Sequence, residues 1–292
     1  MKVGIVYPQI ELQGDPASLV AYAIEAEKLG LRQLVAYDHP LGAEHANRDP
    51  KLTGPYTQDD PFHDPFMMFG YLAAVTKRLE FSSGILVLPQ RQTALVARQA
   101  ADLDLLSGGR LTLGVGPGWN YVEYQALGTD FHTRGKRLNE QVVLLRELWS
   151  GKVVDFEGQF HRVDRAALNP APKRQIPVFI GGFADAAFRR GAKLGDGFIF
   201  ADGYGDVFEC LATIDRYLDE EGRDRSKFGK HLLMVKVPDG QEAVDRARRW
   251  MDAGGTHVSI EPQRRGFTTL EAHLDFMRRS TDDFHKAGLL AD

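Results

Sequence analysis

The amino-acid sequence predicts a single closed (β/α)8 barrel, or TIM barrel, over residues 1–292. Short apolar runs alternate along the chain with longer amphipathic stretches, which is typical of βαβ units around a parallel sheet. The apolar runs are continuous, as expected of strands that are covered on both faces. Eight such units can be counted, and a chain of 292 residues is an ordinary length for one α/β barrel.

The first four units occupy the N-terminal half. Asp15 followed by Pro16 is typical of a helix start, and Gly30 of a helix end. Thr93 is expected to cap the helix after the third strand, and Ser82-Ser83-Gly84 interrupts that strand. The predicted strands cover residues 3–7, 33–37, 79–88 and 110–115. The predicted helices cover residues 16–29, 65–77, 94–107, 120–127 and 135–149.

Residues 151–175 break the alternation. Two short runs, at residues 153–156 and 159–163, flank Glu157-Gly158, which is a hairpin signal. We interpret this segment as an insertion after the fourth β/α unit and not as a domain boundary. Beyond it, the predicted strands cover residues 177–180, 197–201, 232–237 and 257–261. The predicted helices cover residues 184–194, 207–221, 241–253 and 270–287.

A doubly wound dinucleotide-binding sheet is the alternative fold. Its phosphate loop would have to be Gly114-Val115-Gly116-Pro117-Gly118-Trp119. The fingerprint needs a third glycine where Trp119 stands, and it normally follows the first strand rather than the fourth. The closed barrel is therefore favoured.

Composition excludes several classes of partner. The 36 basic and 40 acidic residues give a net charge of −4, without the broad positive field that nucleic-acid binding needs. No run approaches the ~20 apolar residues of a membrane helix, and the N-terminal run lacks the features of a signal peptide. We therefore expect a cytoplasmic protein that does not contact membranes. The single cysteine, Cys210, cannot form an intramolecular disulfide and is expected to pack along a helix.

Active-site residues of a barrel lie after the C-terminal ends of its strands. The candidates selected by that rule are Tyr7, Asp38, His39, Gly84, Ile85, Gly116, Pro117, Gly118, Trp119, Asn120, Gly181, Gly182, Phe183, Ala201, Asp202 and Glu261. The long loop at residues 40–64 is expected to close over the substrate, because loops of this length in compact domains are usually functional.

Two features of these candidates suggest chemistry. A histidine at a strand end, here His39, can exchange a proton near neutral pH, and the neighbouring Asp38 could fix its tautomer. Alternatively, Asp38 caps a turn and His39 only packs. Gly116-Pro117-Gly118 and Gly181-Gly182 allow close backbone approach, and amides before a helix can hold an anion. Together they indicate a phosphorylated ligand, although ordinary turns would look the same.

Metal and serine chemistry are not expected. His39, His45 and His63 have weak metal-ligand spacing, and Tyr7-Pro8-Gln9 stands where a metal-dependent barrel hydrolase typically has His-x-His. No G-x-S-x-G element is present for a serine nucleophile.

These residues resemble the luciferase-like monooxygenase superfamily, and in particular its coenzyme F420-dependent branch, from residue 1 to about residue 200. The motifs that carry the resemblance are Tyr37-Asp38-His39, Ser83-Gly84-Ile85-Leu86-Val87-Leu88-Pro89, the segments at residues 95–104 and 107–119, Phe156-Glu157-Gly158, and the segment at residues 177–182.

The resemblance implies a cofactor site and roles for its residues. A non-proline cis peptide at Gly84-Ile85 is expected to press on the middle ring of the cofactor, and His39 to exchange a proton while Asp38 orients it. The implied cofactor contacts are Tyr7, Asp38, His39, Gly84, Ile85, Leu86, Gly116, Pro117, Gly118, Trp119, Asn120, Gly181, Gly182 and Phe183, with no metal.

The Asp38-His39 pair favours F420, because members that use flavin mononucleotide (FMN) more often carry a Glu-His element there. A deazaflavin has carbon in place of the reactive ring nitrogen, so the resemblance implies hydride transfer to or from a small organic substrate. Trp119 and Asn120 stand where the sugar-phosphate dehydrogenases of this branch carry a Glu, which argues against a glucose-6-phosphate-type substrate.

Two other functions remain open. One is an FMN-dependent monooxygenase that works with a separate flavin reductase. The other is a barrel that binds flavin without catalysis, which Asp38, His39 and the long loop disfavour. The resemblance also implies a homodimer through the helices that follow the second and third strands, and a possible partner enzyme that reduces F420 or flavin.

Overall fold

The computed structural model describes residues 1–236 and 239–290, and it forms the expected barrel. Within these residues the strands are β1 (Lys2–Val6), β2 (Gln33–Ala36), β3 (Glu80–Ser83), β4 (Leu86–Val87), β5 (Leu111–Gly116), β6 (Val154–Glu157), β7 (Arg162–Ala166), β8 (Val178–Gly181), β9 (Gly197–Ala201), β10 (Gly229–Met234) and β11 (His257–Ile260). The helices are α1 (Pro16–Lys28), α2 (Pro65–Val75), α3 (Thr93–Ser107), α4 (Tyr121–Ala126), α5 (Arg134–Leu148), α6 (Asp185–Leu194), α7 (Val207–Glu220), α8 (Gln241–Asp252) and α9 (Leu270–Lys286).

The parallel strands follow the order β3-β2-β1-β11-β10-β9-β8-β5, and a pairing of β3 with β5 closes the ring. β4 continues β3 beyond a break and also pairs with β5, so the ring has eight positions. The antiparallel hairpin β6-β7 lies outside it, between α5 and β8. This arrangement brings the C-terminal ends of all eight positions to one mouth.

The break in the third strand corrects the expectation of one strand over residues 79–88. The peptide between Gly84 and Ile85 is cis, as the resemblance implied, and the amide of Gly84 donates to the carbonyl of Ala36 at 2.8 Å. Before the break the strand pairs with both β2 and β5, and after the break β4 continues the pairing with β5.

Thr93 begins α3 but does not cap it, contrary to expectation. Its hydroxyl lies 2.8 Å from Nε2 of His161 and accepts a hydrogen bond from Gln141 at 3.0 Å, so it links α3 to α5 and the hairpin. Asp15 does cap α1, accepting from the amide of Ser18 at 2.8 Å. Gly108, with φ of 73°, ends α3.

Two smaller differences concern strand bounds. The second hairpin strand begins at Arg162 rather than residue 159, because Glu140 accepts the amides of Gln159 and Phe160 and holds them in the turn. The strand expected at residues 232–237 begins earlier, at Gly229, and ends at Met234; Val237 lies outside the described residues.

Two apolar layers surround the barrel wall. The larger lies between the strands and the helices. The smaller fills the bore with Val6, Val35, Phe179, Ile199 and Leu233. Half-buried side chains lie above the bore on the mouth side, and these are Tyr37, Ile85, Ala201 and Val235. The bore is thus a packed floor for a site at the mouth.

No helix in the described part of the chain has the length and apolar character to cross a membrane.

Candidate active site at the barrel mouth

Three of the expected glycines meet at one point of the mouth. A methyl group added to Gly181 would lie 2.6 Å from the Ile85 side chain, and one added to Gly116 would lie 3.0 Å from it. A methyl group on Gly84 would lie 2.6 Å from Val35. A larger residue at any of the three positions would collide with Ile85 or Val35, so the glycines let bare backbone surround Ile85, and we call this arrangement the cradle.

His39 contacts Glu123, not Asp38. Its Nδ1 lies 3.2 Å from a carboxylate oxygen of Glu123, a residue on the first turn of α4 that is buried. The same oxygen accepts the amide of Leu41 at 3.3 Å. A proton on Nδ1 directed at this carboxylate leaves Nε2 as the ring nitrogen that can accept or donate a further hydrogen bond.

The expectation that Asp38 orients His39 is wrong. Adjacent residues at a strand end point in opposite directions. Asp38 points to Arg91, which donates two hydrogen bonds to its carboxylate at 2.6 and 3.2 Å, and it also accepts the amide of Val87 at 2.9 Å. Arg91 reaches on to Asp64, the residue that caps α2. Asp38 therefore holds the broken third strand in place and does not orient His39.

Aromatic rings enclose His39. The ring centroids of Tyr56, Phe62 and Trp119 lie 5.2, 5.1 and 5.4 Å from that of His39. Tyr56 and Phe62 come from the long loop at residues 40–64, so this loop lies over His39. Gly54 faces the indole of Trp119 so closely that a methyl group there would overlap it.

Glu261 is a second carboxyl at the mouth. Its side chain is buried, with 3% of its surface exposed. One oxygen, Oε2, contacts the hydroxyl of Tyr37, and the other, Oε1, accepts the amide of Gln263 at 3.0 Å. Burial raises the pKa of Glu261 to about 7, although these two hydrogen bonds oppose the rise.

Three expected contacts take other positions. The ring of Tyr7 packs edge-on against Tyr22 of α1 in the outer layer, and Leu86 is also part of that layer, so neither side chain faces the mouth. Asn120 is buried and caps α4 by accepting the amide of Val122 at 3.1 Å. These side chains point away because Tyr7 and Leu86 pack in the outer layer and Asn120 caps α4.

The remaining candidates lie at the rim. Pro117 and Gly118 are half-buried in the turn before α4, and the carbonyl of Pro117 accepts from the Tyr124 hydroxyl at 2.5 Å. Gly182 has φ of 147°. The ring of Phe183 is 57% exposed and stacks on Tyr204 with centroids 4.2 Å apart.

Within residues 1–236 and 239–290, no cluster of three or more His, Cys, Asp or Glu side chains is arranged to hold a metal ion.

The family model for luciferase-like monooxygenases matches residues 1–288. The chain belongs to this family.

Relatives of this luciferase-like chain include dehydrogenases. A protein of Mycobacterium tuberculosis described as uncharacterized is 37% identical over 214 residues, which cover 70% of this chain and 73% of that protein. An F420-dependent glucose-6-phosphate dehydrogenase of Intrasporangium calvum is 30% identical over 272 residues, covering 84% of this chain and 80% of that protein. A solved F420-dependent secondary alcohol dehydrogenase, in complex with an F420-acetone adduct, has the same fold, with a TM-score of 0.76 at 19% identity over 96% of this chain and 97% of its own.

Sequence reasoning about this luciferase-like chain missed Glu123 and Arg91. A signal for Glu123 existed, because Asn120 is a typical helix cap and a carboxylate three residues later falls on the first turn. For Arg91 no comparable signal existed, since its partners Asp38 and Asp64 are 53 and 27 residues away.

Proposed function

We propose that this luciferase-like protein is an oxidoreductase that transfers a hydride between coenzyme F420 and a small organic substrate. The observation that carries the proposal is the cradle of Gly84, Gly116 and Gly181 around Ile85, which faces the same mouth as His39. The relatives named as F420-dependent dehydrogenases support the same cofactor.

The residues present fit a flat ring with a polar tail. The cradle offers backbone and one apolar side chain, Ile85, to the face of a ring. Asp202, at the end of β9, is buried and keeps Oδ2 without a partner among the described residues, which suits a hydroxyl donor on the ligand. Gly118 and Gly182 at the rim have positive φ, and turns with such backbone can direct amides at an anionic tail.

Bound F420 supplies or accepts the hydride, and the protein handles the proton and the solvent. His39 holds or takes a proton at Nε2, while Glu123 keeps the other ring nitrogen protonated and the ring in place. Tyr56, Phe62 and Trp119 exclude water from this imidazole. A proton can therefore reach a substrate oxygen without exchange with bulk water.

Turnover with a panel of carbonyl compounds and activated alkenes tests this function. We expect the protein to consume reduced F420, followed by its absorbance, with some members of the panel, and to consume little oxygen with reduced FMN. Oxygen uptake with reduced FMN, and no turnover of reduced F420, would instead identify an FMN-dependent monooxygenase. In either case a separate reductase would supply the reduced cofactor.

We also propose a homodimer through α2 and α3. The face of α2 that carries Met67, Tyr71 and Val75 is exposed, as are Leu95 and Leu106 on α3; Met67 and Leu106 are 72% and 80% exposed. Contiguous exposed apolar residues mark protein interfaces. Sedimentation is expected to show a dimer that Met67→Glu weakens, and a monomeric wild-type protein would contradict it.

A further inference from the structure

The contact between Glu261 and Tyr37 has no part in the proton transfer assigned to His39. Tyr37 follows β2, and Glu261 follows β11 on the far side of β1. The Tyr37 ring is half-buried above the bore, and its Cε1 lies 3.5 Å from where a methyl group on Gly84 would be. The phenol is therefore next to the cradle, with Glu261 behind it.

The position of a proton on Glu261 follows from its two contacts. The amide of Gln263 donates to Oε1, so a proton on that oxygen would face another hydrogen. A proton on Glu261 must therefore be on Oε2, directed at the hydroxyl oxygen of Tyr37. An ionised Glu261 reverses this arrangement, because a carboxylate only accepts and the Tyr37 hydroxyl must then donate to it.

Charged and titratable groups from several elements act on this carboxyl. Glu11, on the loop after β1, disfavours its ionisation, and Arg265 on its own loop favours it. Nε of Arg265 donates to the main-chain oxygen of Glu261 at 2.7 Å. Burial and the charge of Glu261 raise the pKa of Tyr22 of α1 and of Tyr56 of the long loop, so both phenols stay neutral.

We propose that Glu261 and Tyr37 form a proton-holding pair that sets the hydrogen-bond polarity of the mouth: protonated Glu261 turns the Tyr37 hydroxyl proton toward the bound ligand, and ionised Glu261 draws it back. The pair is a positioning element next to the cradle. The bound ligand in this proposal is F420, so this part of the inference rests on the proposed function. Burial raises the pKa of Glu261 to about 7, so the reversal falls within the physiological range.

Infrared difference titration of the protein without ligand tests the proton on the pair. Between about pH 5.5 and 8.5 we expect a protonated-carboxyl band that titrates near neutrality and is missing from Glu261→Gln. In Tyr37→Phe the band should shift, because Oε2 loses its partner. The exposed carboxylate Glu221, changed to Gln, is the control and should leave the band unchanged. A wild-type spectrum without such a band would overturn the proposal.

The polarity of the mouth is tested by F420 binding over the same pH range. Glu261→Gln keeps an amide donor directed at Tyr37 at every pH. The affinity of this variant for F420 should therefore change with pH only through the titration of F420 itself. The wild-type affinity should fall by a further three- to tenfold, about the worth of one hydrogen bond, on passing to alkaline pH. Equal pH slopes for the two proteins would overturn the proposal. If F420 does not bind at all, the proposed function fails, and the infrared titration still decides whether the pair holds a proton.

Discussion

His39 and Asp38 are adjacent in the chain but act in separate networks. His39 is joined to Glu123 within an aromatic enclosure, whereas Asp38 is joined to Arg91 at the base of the broken strand. In the proposed function His39 therefore serves chemistry, whereas Asp38 serves structure. Substitutions at the two positions should have different consequences, and each can be measured separately.

Replacing His39 with Asn removes the group to which the proposed function assigns the proton. We expect turnover of reduced F420 to fall by about 10²–10⁴-fold, the usual contribution of a general acid or base, with F420 affinity changed little. His132→Asn, at an exposed histidine of the segment before α5, is the control. Undiminished turnover in the His39 variant would remove this residue from proton transfer.

Replacing Asp38 with Asn leaves Arg91 without its main buried partner. The side chain of Asp38 is 1% exposed and that of Arg91 is 14% exposed, so the Arg91 charge would stay buried without the carboxylate of Asp38. We expect the free energy of unfolding in urea to fall by about 3–5 kcal/mol. Asp164→Asn breaks an exposed ion pair with Arg165 and should cost at most about 1 kcal/mol. Equal effects of the two changes would contradict this role for Asp38.

The sequence predicted which residues surround the mouth but not how they pair. Strand ends are visible in apolar runs, so His39, Gly84 and Gly181 could be placed at the mouth. Pairing depends on the direction of each side chain, and a one-residue step reverses it. This is why Asp38 was expected beside His39, and why Tyr7 and Leu86 were expected to face the mouth.

The long loop at residues 40–64 is held over the mouth by contacts near its middle. Tyr121 donates to the carbonyl of Pro50 at 2.7 Å, and Arg264 donates to that of Pro55. Between these points Gly54 lies against Trp119. From the sequence, only the length of this loop indicated a function. The contacts of the loop with Trp119 and Arg264 could not be predicted, because they join segments that are far apart in the chain.

A methyl group at Gly54 should open the enclosure of His39, because it overlaps the Trp119 indole. Trp149 and Trp250 are fully buried, so acrylamide quenching reports mainly on Trp119. We expect stronger quenching in Gly54→Ala than in the wild type. Gly70→Ala, where a methyl group meets open space, is the matched control. Unchanged quenching in Gly54→Ala would show that the loop does not hold the indole.

We expect the stability of the whole barrel to depend on two histidines at the end opposite the site. His231 of β10 and His257 of β11 pair in register, with ring centroids 5.5 Å apart. Burial lowers the pKa of His257 to about 4 and that of His231 well below its usual value. Both imidazoles are therefore neutral in the folded protein at neutral pH.

Unfolding exposes these imidazoles, which then bind protons below about pH 6.5, so their contribution to stability is complete above that pH and is lost as the pH falls toward 4. For His257 the loss is on the order of 3 kcal/mol. The raised pKa of Glu261 has the opposite effect on stability, which it increases as the pH falls from about 7 to 4.5. The contribution of His257 must therefore be measured by comparing the wild type with a His257 variant. Urea unfolding across this range should show a shallower acid loss for His257→Asn than for the wild type, and parallel curves would contradict the assignment.

The overall architecture was predictable because eight apolar runs and their helices repeat one pattern over the whole chain. Closure of the ring, by the pairing of β3 with β5, was not visible in any single run. The role of Thr93 and the start of the second hairpin strand differ from the sequence prediction. The cause is hydrogen bonds of His161, Gln141 and Glu140 that join separate elements. Long-range hydrogen bonds of this kind leave no local signal.

Equilibrium titration of the purified protein with F420 and with FMN is the most direct test of the barrel mouth as a cofactor site. We expect saturable binding of F420 that is tighter than binding of FMN, and an affinity about tenfold lower in Gly116→Ala, whose methyl group crowds Ile85. Gly70→Ala should bind F420 as the wild type does. Absence of binding for both compounds, or equal F420 affinity in the Gly116 variant and the wild type, would contradict the site described for this chain.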